Sequence, residues 1–281
     1  MSDWTRSAQQ TDRLRYRRRR TVRRAAVAGL STVLVLVVLV VLAVNAPGWE
    51  RVHATYFDMA YARDLLPDLA RAFVLNVKLF MVAEVLILAV ALLVAIVRVV
   101  PSAAMAPLKM IAVVYTDVFR GTPTLLVIFL VCFGLPALQL QGMPTDLFWL
   151  GVIALTLSYG AYVAEVIRAG IASIHPSQWA AGRSLGLTYS QTMRHVVLPQ
   201  AFRRVVPPLI NDFVSLQKDT ALVSTAGLVE ILREAQINST RDFNFTPYVV
   251  AAVFFIVLTV PLARLADWLS LRQVRREQGG G

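Results

Sequence analysis

Six apolar stretches, each near the ~20 residues a helix needs to cross about 30 Å of hydrocarbon, dominate this chain. They cover residues 26–45, 73–97, 122–140, 147–167, 205–224 and 247–268. None alternates apolar and polar residues as a barrel strand must, so the expected class is all-α, a polytopic helical transmembrane protein of about six spans. A mean hydropathy of +0.61 with only 16% charged residues excludes an ordinary water-facing globule of 281 residues. The single cysteine, Cys132, allows no intrachain disulfide and no cysteine metal site, so packing alone must hold the helices.

The net charge of +11 does not point to nucleic acid, because the densest basic run, residues 13–24, leads straight into the first apolar stretch. There it serves as a topology anchor beside membrane lipid. With the N-terminus inside, 21 Lys and Arg flank the inner ends and five (Arg51, Arg63, Arg71, Arg233, Arg241) the outer ends, while Lys78 and Lys218 fall within stretches. Both termini are therefore expected in the cytoplasm. The first stretch exceeds the roughly 7–15 residues of a signal-peptide core and ends in Ala46-Pro47, a poor cleavage context, so it reads as a retained anchor. The longest inner connection, 168–204, mixes polar and apolar residues at helical spacing, which marks it as an element with a task.

Within that connection stand Ala180-Ala181-Gly182-Arg183-Ser184-Leu185-Gly186 and, after nine residues, Val196-Val197-Leu198-Pro199. The pattern predicts a short helix ended at Gly186, which can take backbone angles other residues avoid, and a second helical piece up to Pro199 in the first turn of the next helix. This spacing resembles the cytoplasmic signature of type I ABC importer permeases: Ala181, Gly186, Leu198 and Pro199 match, Gly182 and Val196 are near substitutions, and Ala180 stands where the family carries glutamate. Segments 117–123, 132–136, 159–171 and Lys218-Asp219-Thr220-Ala221-Leu222 resemble the branch that handles histidine, glutamine, arginine or glutamate.

The resemblance spans about residues 72–271 and implies the type I permease fold, preceded here by an extra N-terminal helix. The domain expectation is an Arg-rich cytoplasmic segment 1–25, the extra helix 26–45, an extracytoplasmic linker 46–71, the transport domain 72–271 and a cytoplasmic tail 272–281. It further implies a separate ABC ATPase docked on the loop 175–199 through Gln178, Ala180, Ala181, Gly182, Gly186, Val196, Leu198 and Pro199. A second permease subunit, identical or related, an extracytoplasmic solute-binding protein and a polar amino acid substrate complete the implied assembly. The extra helix is expected to serve insertion and peripheral packing and to be dispensable for transport.

Charged residues inside apolar stretches are the other signal. Each costs ~2.5–3.5 kcal/mol at a helix centre, so Asp212, Lys218 and Asp219 cannot face lipid. Asn211, Ser215 and Lys218 recur at helical spacing with Asp212 and Asp219 beside them, giving one polar stripe directed into the bundle. Glu84 lies about 16 Å into its stretch at ~1.5 Å per residue, near mid-bilayer, while Lys78 can snorkel outward. Glu84, Asn211, Asp212, Ser215, Lys218 and Asp219 are the candidate translocation pathway. Glu165 with Arg168, and Arg264 with Asp267, are expected to pair at i, i+3. No G-x-x-x-x-G-K-[ST] is present and His53, His175 and His195 lack metal-ligand spacing, so the chain is expected to be neither an enzyme nor a holder of cofactor or metal. The alternative is a secondary transporter or channel working without an ATPase, for which no internal repeat is evident.

Overall fold

A computed structural model describes residues 8–278, with side chains for residues 20–269. The first residues of the Arg-rich segment and the end of the tail 272–281 lie outside the described residues. Two units divide the chain, Met1–Phe57 and Asp58–Gly281. Every regular element among the described residues is helical.

The first unit holds α1 (Ala8–Val44) and the short α2 (Trp49–Tyr56). From Ala26 onward α1 carries no charge, and its hydroxyls are satisfied within the helix, Ser31 and Thr32 each donating to the Ala28 carbonyl at 2.9 and 2.8 Å. Internal satisfaction is what a segment surrounded by hydrocarbon requires.

The second unit opens with α3 (Met59–Val99), N-capped by Asp58, whose carboxylate accepts the Tyr61 amide at 3.0 Å. Here the structure departs from the expected boundaries. Residues 59–71 are the first turns of a continuous helix, not a linker, because Leu65 and Leu69 are buried against Ile231, Ala235 and Ala251. Phe73 extends this packing, its ring 5.2 and 5.5 Å from those of Phe254 and Phe255.

Five further elements build the main core. α4 (Ala106–Gly121) and α5 (Thr124–Phe129) are followed by a π-helical turn at Leu130–Gly134 and α6 (Leu135–Ala137). The central α7 (Leu147–Ala172) starts at Asp146, whose side chain accepts the Phe148 and Trp149 amides at 3.0 and 3.3 Å. Leu79, Ala83, Ile87 and Ala91, four residues apart on one face of α3, are fully buried with Leu150, Ala154, Leu155 and Ala164 of α7. Small residues on α7 let backbones approach, which suits helix association where lipid is as apolar as leucine.

The remaining helices are α8 (Pro176–Ser184), α9 (Tyr189–Thr192), a second π-helical turn at Met193–Val197, α10 (Leu198–Asp219), a 3-10 segment (Thr220–Ala226), α11 (Ile231–Asp242) and α12 (Thr246–Gln278). Both π-helical turns immediately precede a Leu-Pro pair, Leu135-Pro136 and Leu198-Pro199. A proline ring clashes with the carbonyl four residues back, and one widened turn relieves that clash without ending the helix.

The six expected spans map onto this architecture with two changes. Among the described residues, four helices are long and apolar enough to cross a membrane. The stretch 122–140 is not a straight span: it is the second arm of a pair, Ala103–Gly121 and Thr124–Ala137, bent by 107° at the break before α5. Pro123 lacks the amide to continue α4, which forces the bend. The stretch at 205–224 becomes the later part of α10 and most of the 3-10 segment after it, and α10 is long enough but not apolar enough, because Asp212, Lys218 and Asp219 lie along it.

Candidate functional site

The connection 168–204 folds as a helical hairpin. α8 opens on His175, whose Nδ1 accepts the Ser177 amide at 3.2 Å. It ends at Gly186, with φ of +77°, the left-handed conformation that side chains resist. A reciprocal cap restarts the helix: Thr188 Oγ1 accepts the Gln191 amide at 3.3 Å, and Gln191 Oε1 accepts the Thr188 amide at 2.8 Å. From α9 the chain continues through the π-helical turn into α10 with no break, so Pro199 stands in the first turn of α10 as expected.

The two arms hold each other. Trp179 stacks on Tyr189 with ring centroids 5.2 Å apart, and Gln200 Nε2 donates to Gln178 Oε1 at 3.1 Å. Gly182 is buried against the fully buried Thr192. Ile174, Val197 and Ala201 form a small core beneath, joined by Ile171, Trp179 and Met193. Arg204 donates to the Ser173 carbonyl at 2.5 Å, tying α10 to the end of α7. Of the expected docking residues, Ala180, Ala181, Gly186, Leu198 and Pro199 are exposed, Gln178 and Val196 are half-buried, and Gly182 is internal.

A second site lies between α7 and α10. A cavity of about 370 Å³ is lined by Thr124, Tyr159, Tyr162, Asp212, Ser215, Lys218 and Asp219. Tyr159 donates its hydroxyl to Asp219 Oδ2 at 2.7 Å, and Tyr162 donates to the Arg120 carbonyl at 3.0 Å. Asp212 Oδ2 is buried with no hydrogen-bond partner among the described residues. The structure thus gathers four of the six candidate pathway residues. Asn211 is exposed outside the lining, and half-buried Glu84 is also outside it, though within electrostatic range of Asp212. Tyr159 and Tyr162 were not singled out from sequence as lining residues. Their i, i+3 spacing on α7 was the available signal.

The expected Glu165–Arg168 pair forms, at 2.5 Å, and gains a partner from α3: Arg98 Nη1 reaches Glu165 Oε2 at 2.7 Å and Thr116 Oγ1 at 3.1 Å. Arg264 and Asp267 are 4.0 Å apart and exposed, a loose contact. Arg98 and Glu165 are mostly shielded, with side chains 14% and 18% exposed. Arg98→Ala should therefore cost about 1.5–3 kcal/mol, the range for hydrogen bonds to charged groups. The check is the thermal unfolding midpoint of the purified protein, and an unchanged midpoint would show that the α3–α7 bridge contributes no stability.

Residues 102–275, more than half of the chain, match the family described as binding-protein-dependent transport system inner membrane component. The chain belongs to this family. It is similar to an arginine transport system permease protein of Bacillus subtilis (strain 168), 41% identical over 157 residues, covering 56% of this chain and 71% of that protein. It is also similar to a probable amino-acid ABC transporter permease protein of Vibrio harveyi, 36% identical over 213 residues, covering 75% and 94%. Among solved structures, an amino acid ABC transporter crystallised with histidines aligns at a TM-score of 0.70 and 33% identity over 76% of this chain and 98% of that one. An inward-facing methionine ABC transporter, at 16% identity and a TM-score of 0.61 over 75% and 98%, shares the fold.

Membership makes this chain a multi-pass membrane permease subunit with the ABC importer fold, a class that works with an ATPase and a binding protein. The alternative of a free-standing secondary transporter or channel is not favoured.

Proposed function

We propose that this permease subunit carries a polar amino acid across the cytoplasmic membrane of a prokaryote, both termini inside, driven by an ABC ATPase that docks on residues 175–199. An extracytoplasmic solute-binding protein delivers the cargo, and a second permease subunit, identical or related, completes the path. The observation that carries this reading is the hairpin bent at Gly186, attached at one end to α7 and at the other to α10. Those same helices supply most of the cavity lining.

A push on the hairpin therefore reaches the cavity through two helices at once. The exposed Ala180, Ala181, Leu198 and Pro199 face the docking partner, while the Ile174, Val197 and Ala201 core keeps the hairpin from yielding on its own. ATPase closure can shift the inward-open and outward-open populations only if it binds the two states with different affinity, which a rigid handle makes possible. In the cavity, the Lys218 ammonium suits a carboxylate, and the unpaired Asp212 Oδ2 suits an α-ammonium group. Support for an amino acid cargo comes from the relatives named for such cargo.

The test is uptake of radiolabelled amino acids by liposomes holding the permease with its ATPase, ATP and binding protein. Uptake is expected only when all are present. Equal uptake without the ATPase would remove the importer assignment.

Two further outcomes are expected in the same assay. Gly186→Val forces a β-branched residue into a left-handed backbone, costing about 1–3 kcal/mol. It should leave the protein in the membrane, keep ATP hydrolysis running and depress uptake; unchanged uptake and stimulation would refute the coupling role. Deletion of residues 1–45 should preserve uptake per assembled complex, and complete loss at normal membrane abundance would show that the added helix takes part in transport.

A further inference from the structure

A buried polar chain runs through the second unit that neither the hairpin nor the cavity uses. Glu230 caps α11, its Oε1 accepting the Arg233 amide at 2.9 Å, and it is fully buried. Its Oε2 accepts from Asn76 Nδ2 of α3 at 2.7 Å. Asn76, 2% exposed, uses the other end of its amide to accept the Ile231 backbone amide at 3.1 Å. The same Nδ2 donates to Thr220 Oγ1 at 3.3 Å, and that hydroxyl donates to the Gln217 carbonyl at 2.8 Å. Gln217 Oε1 in turn accepts from Thr259 Oγ1 of α12 at 2.6 Å. No cation is among these partners of Glu230.

The order along the chain gives this network its meaning. Gln217 and Thr220 are buried and bonded to neighbouring helices, while Lys218 and Asp219 between them line the cavity. Successive residues of a helix point about 100° apart, so fixing residues 217 and 220 fixes the direction of 218 and 219. Burying a carboxylate with only neutral donors is expensive, and a nonpolar pair would pack α3 against α11 at lower cost. What a nonpolar pair could not do is specify one register.

We infer that Asn76 and Glu230 form a latch that sets the orientation of Lys218 and Asp219 in the cavity and binds residues 220–231 to α3, so that they move as one body during transport. Both are positioning residues. The inference rests on the transport reading above only for its consequence in uptake; the latch itself is a property of the permease alone.

Two measurements separate these. The first is backbone amide exchange of residues 220–231 in the purified permease. Asn76→Asp replaces the donor to Glu230 by a second carboxylate, and exchange there should rise by about tenfold or more. Glu230→Gln alone, a nearly isosteric change that spares folding, should give a smaller rise, because with its oxygen kept on the Arg233 amide the new NH2 meets the Asn76 NH2, donor against donor. Combining the two substitutions restores a donor–acceptor pair with the roles exchanged, and exchange should return to within about threefold of the original. Unchanged exchange in Asn76→Asp, or a double variant as open as the single one, would overturn the latch.

The second measurement is cargo moved per ATP hydrolysed by the complete complex in liposomes. Asn76→Asp should lower it at unchanged complex assembly, and the double variant should recover it, a pattern that a merely structural role would not produce. Failure of the unaltered complex to take up cargo would count against the importer reading and leave the exchange result to decide the latch.

Discussion

Gly182→Ala is expected to cut ATP-driven uptake by about tenfold or more while the complex still assembles. A Cβ at this position would stand 2.6 Å from Thr192 Cγ2 and 2.9 Å from Thr192 Oγ1, closer than real side chains approach. Thr192 cannot swing aside, since it is fully buried within the hairpin. The two arms must then part, and overpacking of this kind costs about 1–3 kcal/mol. The hairpin's own core is only Ile174, Val197 and Ala201 with a few partly buried neighbours, so the strain is not spread over a large structure. At about 1.4 kcal/mol per factor of ten, that is enough to lose the geometry through which docking force would pass. Thr192→Ala added to the same chain removes both clashing atoms and should recover uptake. The measurement is uptake together with ATP hydrolysis in reconstituted complexes. Gly182→Ala with uncompromised uptake would mean that the hairpin does not transmit force as a rigid piece.

Asp219→Ala carries the second large expected effect. It removes the acceptor of the Tyr159 hydroxyl and one of the cavity's two carboxylates. Hydrogen bonds to charged groups contribute about 1.5–3 kcal/mol, so a fall in uptake of roughly ten- to a hundredfold is expected, with assembly changed far less. Tyr159→Phe deletes the same hydrogen bond from the other side. If the bond is what matters, the double variant should be little worse than Asp219→Ala alone, the behaviour of two residues acting through one contact. Losses in uptake and assembly of equal size would instead assign Asp219 to holding α7 against α10. Additive losses would mean that Tyr159 and Asp219 act separately.

Much of the fold was readable because bilayer thickness leaves a coarse mark on sequence. Length and apolarity located the end of α1 and the starts of α7 and α12 to within one residue, and the end of α3 to within two. The reading failed where polarity and length disagree. Residues 59–71 hold Arg63, Asp64, Asp68 and Arg71 and look like a linker, yet Leu65 and Leu69 on one face continue α3. The stretch 122–140 looked like a straight span because hydropathy does not register the bend before α5.

The candidate site was legible in part for a similar reason. Ser215, Lys218, Asp212 and Asp219 could be grouped because they share one helix, where spacing fixes the face. Tyr159 and Tyr162 meet them only because α7 crosses α10, and spacing within one segment says nothing of that crossing. Arg98 meets Glu165 and Thr116 by the same kind of crossing, and its Arg98–Glu165 arm spans 67 residues of chain, beyond what local spacing encodes.

The amino-acid sequence alone determined that this chain is a bundle of membrane helices with a bent pair of helices at Gly186, because hydrocarbon tolerates few charges and a left-handed turn favours glycine. Only the tertiary structure decided which residues of different helices meet: the tyrosines of α7 over the charges of α10, and Asn76 of α3 beneath Glu230 of α11. Those pairings depend on where two helix surfaces touch, and that is set by the packing of the whole bundle.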